Sequence, residues 1–191
     1  MSVTTTNLVL GPATLYTGAF GAVEPLDSSV NIAPAASAWT DVGGTMGGVT
    51  LSIDQTYTEL TVDQIVDSVG RRLTKREFSV STSMAEATLN NLSTALNGST
   101  ATSGAISGGG TYQTMEPLFA TSATQPNYIA LLADGFGTQS FRRRSIFRKC
   151  LSTAKVDQVF AKDKQTAYTV TFNGHYVSSV IAPVHVVDQI A

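Results

Sequence analysis

The alternation at residues 49–54 is the tightest constraint this sequence places on its own fold. Val49, Leu51 and Ile53 fall on one side of an extended chain, and Thr50, Ser52 and Asp54 fall on the other. A period of two suits a half-buried β-strand and cannot be used by a helix. Immediately before it stands Gly43-Gly44-Thr45-Met46-Gly47-Gly48. A phosphate-binding loop would need a helix after the glycines and, in the Walker form, a Lys beside Ser or Thr. A strand follows instead, with no Lys, so the glycines read as a tight hairpin turn or a bulge.

The same period recurs at 11–19, where Ala13, Leu15 and Thr17 alternate with Thr14, Tyr16 and Gly18. Further strands are expected at 39–42, 78–81, 128–132, 141–151, 155–160 and 166–176. One helix is expected, over 83–97. Ser83 and Glu86 read as a capping box, Ala85, Leu89, Leu92 and Leu96 as one apolar stripe, and Asn97-Gly98 as a left-handed stop. Residues 98–111 form a Gly/Ser/Thr loop. The sum is eight to ten strands and one helix in a single domain over 1–191: a mainly β sandwich or barrel with the helix on one flank. Two segments fit that plan poorly. Residues 20–38, with Pro25 and Pro34, make a long, weakly patterned connection, a candidate inter-subunit loop. Residues 177–191 are a candidate C-terminal arm, and Pro183 puts them at an edge or outside the main sheet.

Composition narrows the function. Charged residues are 14% of the chain, against about 25% in ordinary soluble domains. Ser and Thr together number 45 of 191, so hydroxyls do the work of charges on the surface. Such a chain suits a protein partly hidden in an assembly. The net charge of −2 gives no global case for nucleic-acid or membrane binding. The single cysteine, Cys150, excludes an internal disulfide and a cysteine zinc site; in the strand-like R-K-C-L it reads as a small buried hydrophobe. His175 and His185 match no metal spacing and read as structural; no G-x-S-x-G nucleophile elbow occurs. The N-terminus does not read as a secretory signal, and no run approaches the ~18 apolar residues of a membrane span. The sequons at Asn91 and Asn97 read as chance matches. No enzyme activity, cofactor or metal is expected.

The charges that remain are clustered. Asp54, Glu59, Asp63 and Asp67 make an acidic stretch without EF-hand spacing, expected to be a loop that faces a channel or a neighbour. Arg71, Arg72, Lys75 and Arg76 follow as a basic strand that would answer acids on an adjacent subunit. Residues 141–151 carry Arg142, Arg143, Arg144 and Arg148, with Lys149. As a strand, both faces mix apolar and cationic side chains, which is not a simple in/out pattern. Cations pairing across a subunit interface are the main expectation, and a nucleic-acid groove is the rival.

The segments V-D-Q-I-V-D-S-V-G-R-R-L-T-K-R and M-A-E-A-T-L-N-N-L, with G-P-A-T-L-Y-T-G-A near the start, resemble the major tail tube proteins of long-tailed bacteriophages, especially those of actinobacteria. The close resemblance covers about a third of the chain and carries no catalytic motif. It implies a β-sandwich or barrel core with one flanking helix. It implies homohexameric rings, whose sheets join into an inner barrel, stacked into a hollow tube that passes DNA without holding it. Partners implied are the chain itself, a tape measure protein and tail terminator or initiator proteins, with no membrane, and the place implied is the virion tail. A ring needs a head-to-tail interface, for which the acidic and basic stretches are candidate complements. The alternatives are the inner tube of a contractile tail or injection system, and a carbohydrate-binding adhesion module of a virion.

Overall fold

The computed structural model of the chain describes residues 3–97, 101–117 and 123–190. Its main body is one antiparallel sheet in the order β2-β1-β7-β8-β9-β4-β3, with β10 added to β8. The strands are β1 (Thr14–Ala19), β2 (Thr40–Asp41), β3 (Thr45–Val62), β4 (Ile65–Met84), β7 (Ile129–Phe136), β8 (Arg142–Ser152), β9 (Tyr168–Gly174) and β10 (Val184–Asp188). A separate small hairpin pairs β5 (Thr102–Ala105) with β6 (Thr111–Thr114). The architecture is mainly β with one α-helix, α1 (Leu89–Ala95), among the described residues.

The sheet rolls around its principal core. Leu15 of β1, Val80 and Met84 of β4, Leu131 of β7, Phe147 of β8 and Tyr168, Val170 and Phe172 of β9 meet there, fully buried, with Ala95 of α1. A second cluster lies on the opposite face of β7 and β8, where Trp39 packs on Ala130, Leu132 and Ile146. The central strands are therefore covered on both sides. That explains why 141–151 lacks an in/out pattern: neither face of β8 is the outside.

Residues 20–38, expected as an inter-subunit loop, lie back over this second cluster as a strap. Trp39 Nε1 donates to the Val23 carbonyl at 2.9 Å, and two side-chain pairs, Arg148–Glu24 and His185–Asp27, with Arg144 donating to strap carbonyls, pin the rest. Residues 177–191 are likewise not a free arm over their described length. Val184–Asp188 pairs antiparallel with β8 from Val184↔Phe147 to Asp188↔Arg143. Pro183 precedes that strand at its edge, as its missing N–H requires.

Other expectations shift by a few residues. The helix is shorter than 83–97, and its cap is Thr88, whose hydroxyl accepts from the Asn91 amide at 3.2 Å. Ser83 ends up in β4, and Glu86 accepts instead from the Gly44 N–H at 3.0 Å. Asn97 has the left-handed backbone expected of a stop, φ +59°; Gly98 lies outside the described residues. The glycine cluster is a bulge. Gly47 and Gly48 have φ of +73° and +83°, and the β3–β4 register slips between Met46 and Val49 there. Residues 155–160 are not a strand. Cys150 is buried, and burial pushes its thiol up to about 12.

Candidate assembly interface

The acidic stretch is not a loop. Together with the basic stretch it makes the distal half of one very long hairpin. β4 pairs with β9 only as far as Phe78↔Gly174. Beyond that point β3 and β4 continue as a two-stranded ribbon, through Asp54↔Glu77, Gln55↔Arg76, Tyr57↔Leu73 and Glu59↔Arg71, to the turn at Asp63-Gln64. At ~3.3 Å per residue the free ribbon is about 30 Å long. Asp54, Glu59, Asp63, Asp67, Arg71, Arg72, Lys75 and Arg76 are all exposed on it. The sequence reading placed the acids in a loop because Leu60, Val62 and Ile65 break the period of two. The break is real: the register slips between Leu60 and Val62, so that β4 carries residues 66–69 as an extra bulge near the tip.

Register assigns the faces of this arm. Val49, Leu51, Ile53 and Tyr57 lie opposite Thr82, Val80, Phe78 and Leu73. This face is the core face of the sheet, running out past the body with nothing over it: Ile53 and Tyr57 are 56% and 50% exposed. Glu59, Arg71, Gln55 and Arg76 belong to the same face. The tip is apolar as well. Leu60, Val62, Ile65 and Val69 are about half exposed or more, and Val66 is wholly so at 106%. A two-stranded ribbon is marginal alone in water, and this one leaves a large apolar patch and the whole outer edge of β3 unpaired among the described residues.

The other face of the same sheet has different chemistry. Thr50↔Ser81↔Thr171, Ser52↔Ser79↔Asn173 and Ser83↔Thr169 run across β3, β4 and β9. The Ser83 and Thr169 hydroxyls bond at 2.9 Å, and Asn173 Nδ2 donates to Thr153 Oγ1 at 2.6 Å. These positions hold no charge and almost no apolar side chain, so they form a neutral hydroxyl wall. Asp54 and Glu77 sit at its distal end. The signal for this wall was legible in S-V-S-T-S-M over 79–84, where hydroxyls alternate with the residues that prove buried.

The basic strand 142–148 is engaged inside its own chain. Arg144, 1% exposed, forks onto Asp134 at 2.7 and 2.8 Å and donates to the Ile32 carbonyl at 2.7 Å. Buried so, it cannot meet a neighbour as expected. Arg148 forks onto Glu24 and donates to the Ala182 carbonyl at 2.7 Å; the bond to Glu24 holds its guanidinium pKa above the ordinary value. Arg143 forks onto Asp188 with both bonds at 2.6 Å, which raises its own pKa and lowers that of the carboxyl. Arg142 lies over the Phe136 ring at 4.9 Å, and Lys149 over Tyr128 at 4.3 Å. With His185–Asp27 at 2.9 Å, these pairs staple the strap and β10 to β8. No protein-family model matches the chain, and no curated protein matches it. The arm, its free edge and the hydroxyl wall are thus what the function must be read from.

Proposed function

We propose that the chain is a non-enzymatic structural subunit of a phage tail tube, forming homohexameric rings that stack around a channel for genome passage. The observation that carries the reading is the arm of about 30 Å, whose apolar face continues the core face with nothing to cover it. A monomer gains nothing from such an arm, whereas an assembly buries it. Three features support the same reading. The outer edge of β3 offers a neighbour a ladder of backbone groups along Thr45–Val62. The hydroxyl wall lies on the side of that sheet away from the core, where a joined inner barrel would turn it to the channel. A neutral wall has no cations to hold phosphate. The motif resemblance points to the same family. Tape measure and terminator or initiator proteins are the further partners this reading carries, and the virion tail is the place.

Negative-stain electron microscopy of the purified full chain tests the proposal. Six-fold rings or hollow tubes are expected as concentration rises. A protein that stays monomeric at millimolar concentration, or forms solid fibres without a lumen, would overturn it.

A further inference from the structure

The staples on β8 leave the arm with an unanswered charge inventory. Among the described residues the arm holds one ion pair, Lys75–Glu77 at 2.8 Å, with both side chains exposed. Arg71, Arg72 and Arg76 have no carboxylate at ion-pair distance, and Asp63 and Asp67 have no cation. Asp54 and Glu59 make no ion pair either, and Glu59 stands opposite Arg71, so both signs occur along the ribbon and only its tip is purely acidic. Asp63 and Asp67 flank the apolar tip at Val62, Ile65 and Val66. Arg71 and Arg76 flank the apolar patch of Ile53, Tyr57 and Leu73 on the core-side face.

These are two complementary surfaces on one element: an apolar plug with two carboxylates, and an apolar seat whose two guanidiniums outnumber its one carboxylate, Glu59, and leave it net positive. They cannot meet within one chain. Six residues of extended strand, about 20 Å, separate Asp63 from the level of Tyr57, and a β-ribbon does not fold back on its own face. We infer that the arm is a plug-and-socket connector for a second copy of this chain, with the acidic apolar tip of one copy seated on the arginine-flanked patch of another. This rests on the reading of the chain as a self-assembling subunit, and it names which residues join the copies. A plug and a socket on different patches joined head to tail make a heterologous contact, which leaves one of each free and so propagates, whereas two arms joined antiparallel close a dimer. Placing the tip also covers the apolar faces whose exposure nothing else in the fold explains, and complementary charge fixes which way round the copies meet.

Charge exchange tests it. D63K/D67K gives the plug the sign of the socket, and R71E/R76E does the reverse; all four residues are exposed, so circular dichroism and the urea midpoint of each variant should match the wild type. Each variant alone should need at least about tenfold more protein to assemble in sedimentation velocity, the equivalent of ~1.4 kcal/mol per contact. An equimolar mixture should assemble as readily as wild type, because every junction is then opposite in sign. V66S, which removes the apolar contact of the plug without altering any charge, should assemble poorly alone and should not be rescued by R71E/R76E. If both charge variants assemble like wild type, or the mixture stays dispersed, the connector is wrong. Microscopy separates this from the tube reading. Wild-type tubes with no response to the exchange would sink the connector alone. A mixture that obeys the charge rule but stops at dimers, two arms lying antiparallel, would keep the connector and sink the tube.

Discussion

At the scale of single residues, the strongest interactions in the body are polar, and they hold loops to the sheet. Arg144 shows this most clearly. It is buried with a carboxylate partner and strap carbonyls, and a buried pair contributes little net stability until one half is removed. Arg144→Met would leave Asp134 nearly dry, at 13% side-chain exposure, without its cation. The expected cost is about 3–5 kcal/mol, read as a lower urea midpoint at unchanged m-value, with faster amide exchange in residues 27–33. Asn97 makes a subtler case. Its backbone is left-handed, and its side chain closes a two-bond ring with the Ser152 backbone, at 2.6 and 2.7 Å. Asn97→Gly keeps the backbone and loses both bonds, at about 1–2 kcal/mol. Asn97→Ala adds the left-handed penalty of roughly 1 kcal/mol. Urea denaturation should therefore rank wild type above Gly and Gly above Ala; Ala above Gly would show that the left-handed backbone is not what constrains the site, and Gly level with wild type would show that the side-chain bonds contribute little. Asn97 was legible as a stop from its place after a leucine stripe. Arg144 was not, because local sequence carries the fact of a cation in a strand but not the loop that folds down on it from more than a hundred positions away.

At the scale of elements, β10 is the part whose attachment depends on pH. Its five residues pair with β8, and the Arg143–Asp188 fork pins its far end. The guanidinium stays charged, so the titrating partner is Asp188, whose pKa is held below the ordinary carboxylate range by its bond to Arg143. A depressed carboxyl gives stability that is fully present above its unfolded pKa and is lost as pH falls through the folded one. Wild type should therefore be more stable than Asp188→Asn near neutral pH, and the difference should close in acid, below the usual carboxylate range. Thermal melts of the two proteins across pH check this; a gap that does not narrow in acid would mean the fork is not what pins the strand. Both charged groups are substantially exposed, so solvent screening keeps the effect modest. Elements were read from sequence with uneven success, and the reason lies in what sets each one. β1 and the 49–53 stretch announce themselves because apolar and polar side chains alternate in the sequence, although in 49–53 only Val49 is partly buried while Leu51 and Ile53 stay 40% and 56% exposed. The distal arm does not. Both of its faces are exposed, so nothing imposes alternation, and its bulge breaks the period again. Residues 155–160 alternate by accident: Val156 packs on the core and Phe160 stays 81% exposed in a loop. The capping box failed for a related reason. Ser83 is used by the β-ladder and Glu86 by Gly44, and long-range partners outbid a local motif.

At the scale of the whole molecule, the sheet formed by β3, β4 and β9 divides its chemistry by face, and the division matters only in an assembly. One face is core and continues into the arm. The other is hydroxyl, row upon row, in a chain already short of charge. A monomer in water has no use for so uncharged a face, whereas a wall past which a polyanion must slide is served by the absence of cations. The expectation from sequence gave that role to acids. Of those, Asp54 lies at the end of the hydroxyl rows, while Glu59 is on the apolar face opposite Arg71; in the tube proposed above, repulsion by carboxylates would be an edge effect and neutrality the main device. The double variant Ser81→Lys/Thr171→Lys puts two cations in one cross-strand row without touching the core, the free edge or the arm. Both sites are partly buried and directly opposite, so the variant should fold with a stability lower by up to about 1 kcal/mol, the cost of like charges facing each other in one row. Assembled wild-type particles should leave duplex DNA in the supernatant on co-sedimentation at moderate salt. Particles of the variant should carry it down, with affinity falling steeply as salt rises, since each added cation displaces counterions from phosphate. A face turned outward would give the same electrostatics but would bind DNA of any topology. A face turned to a channel admits only an open end, so linear duplex should be retained and closed circular DNA should not. Equal retention of both forms would place the hydroxyl wall on the outside of the particle and remove the reason for its neutrality.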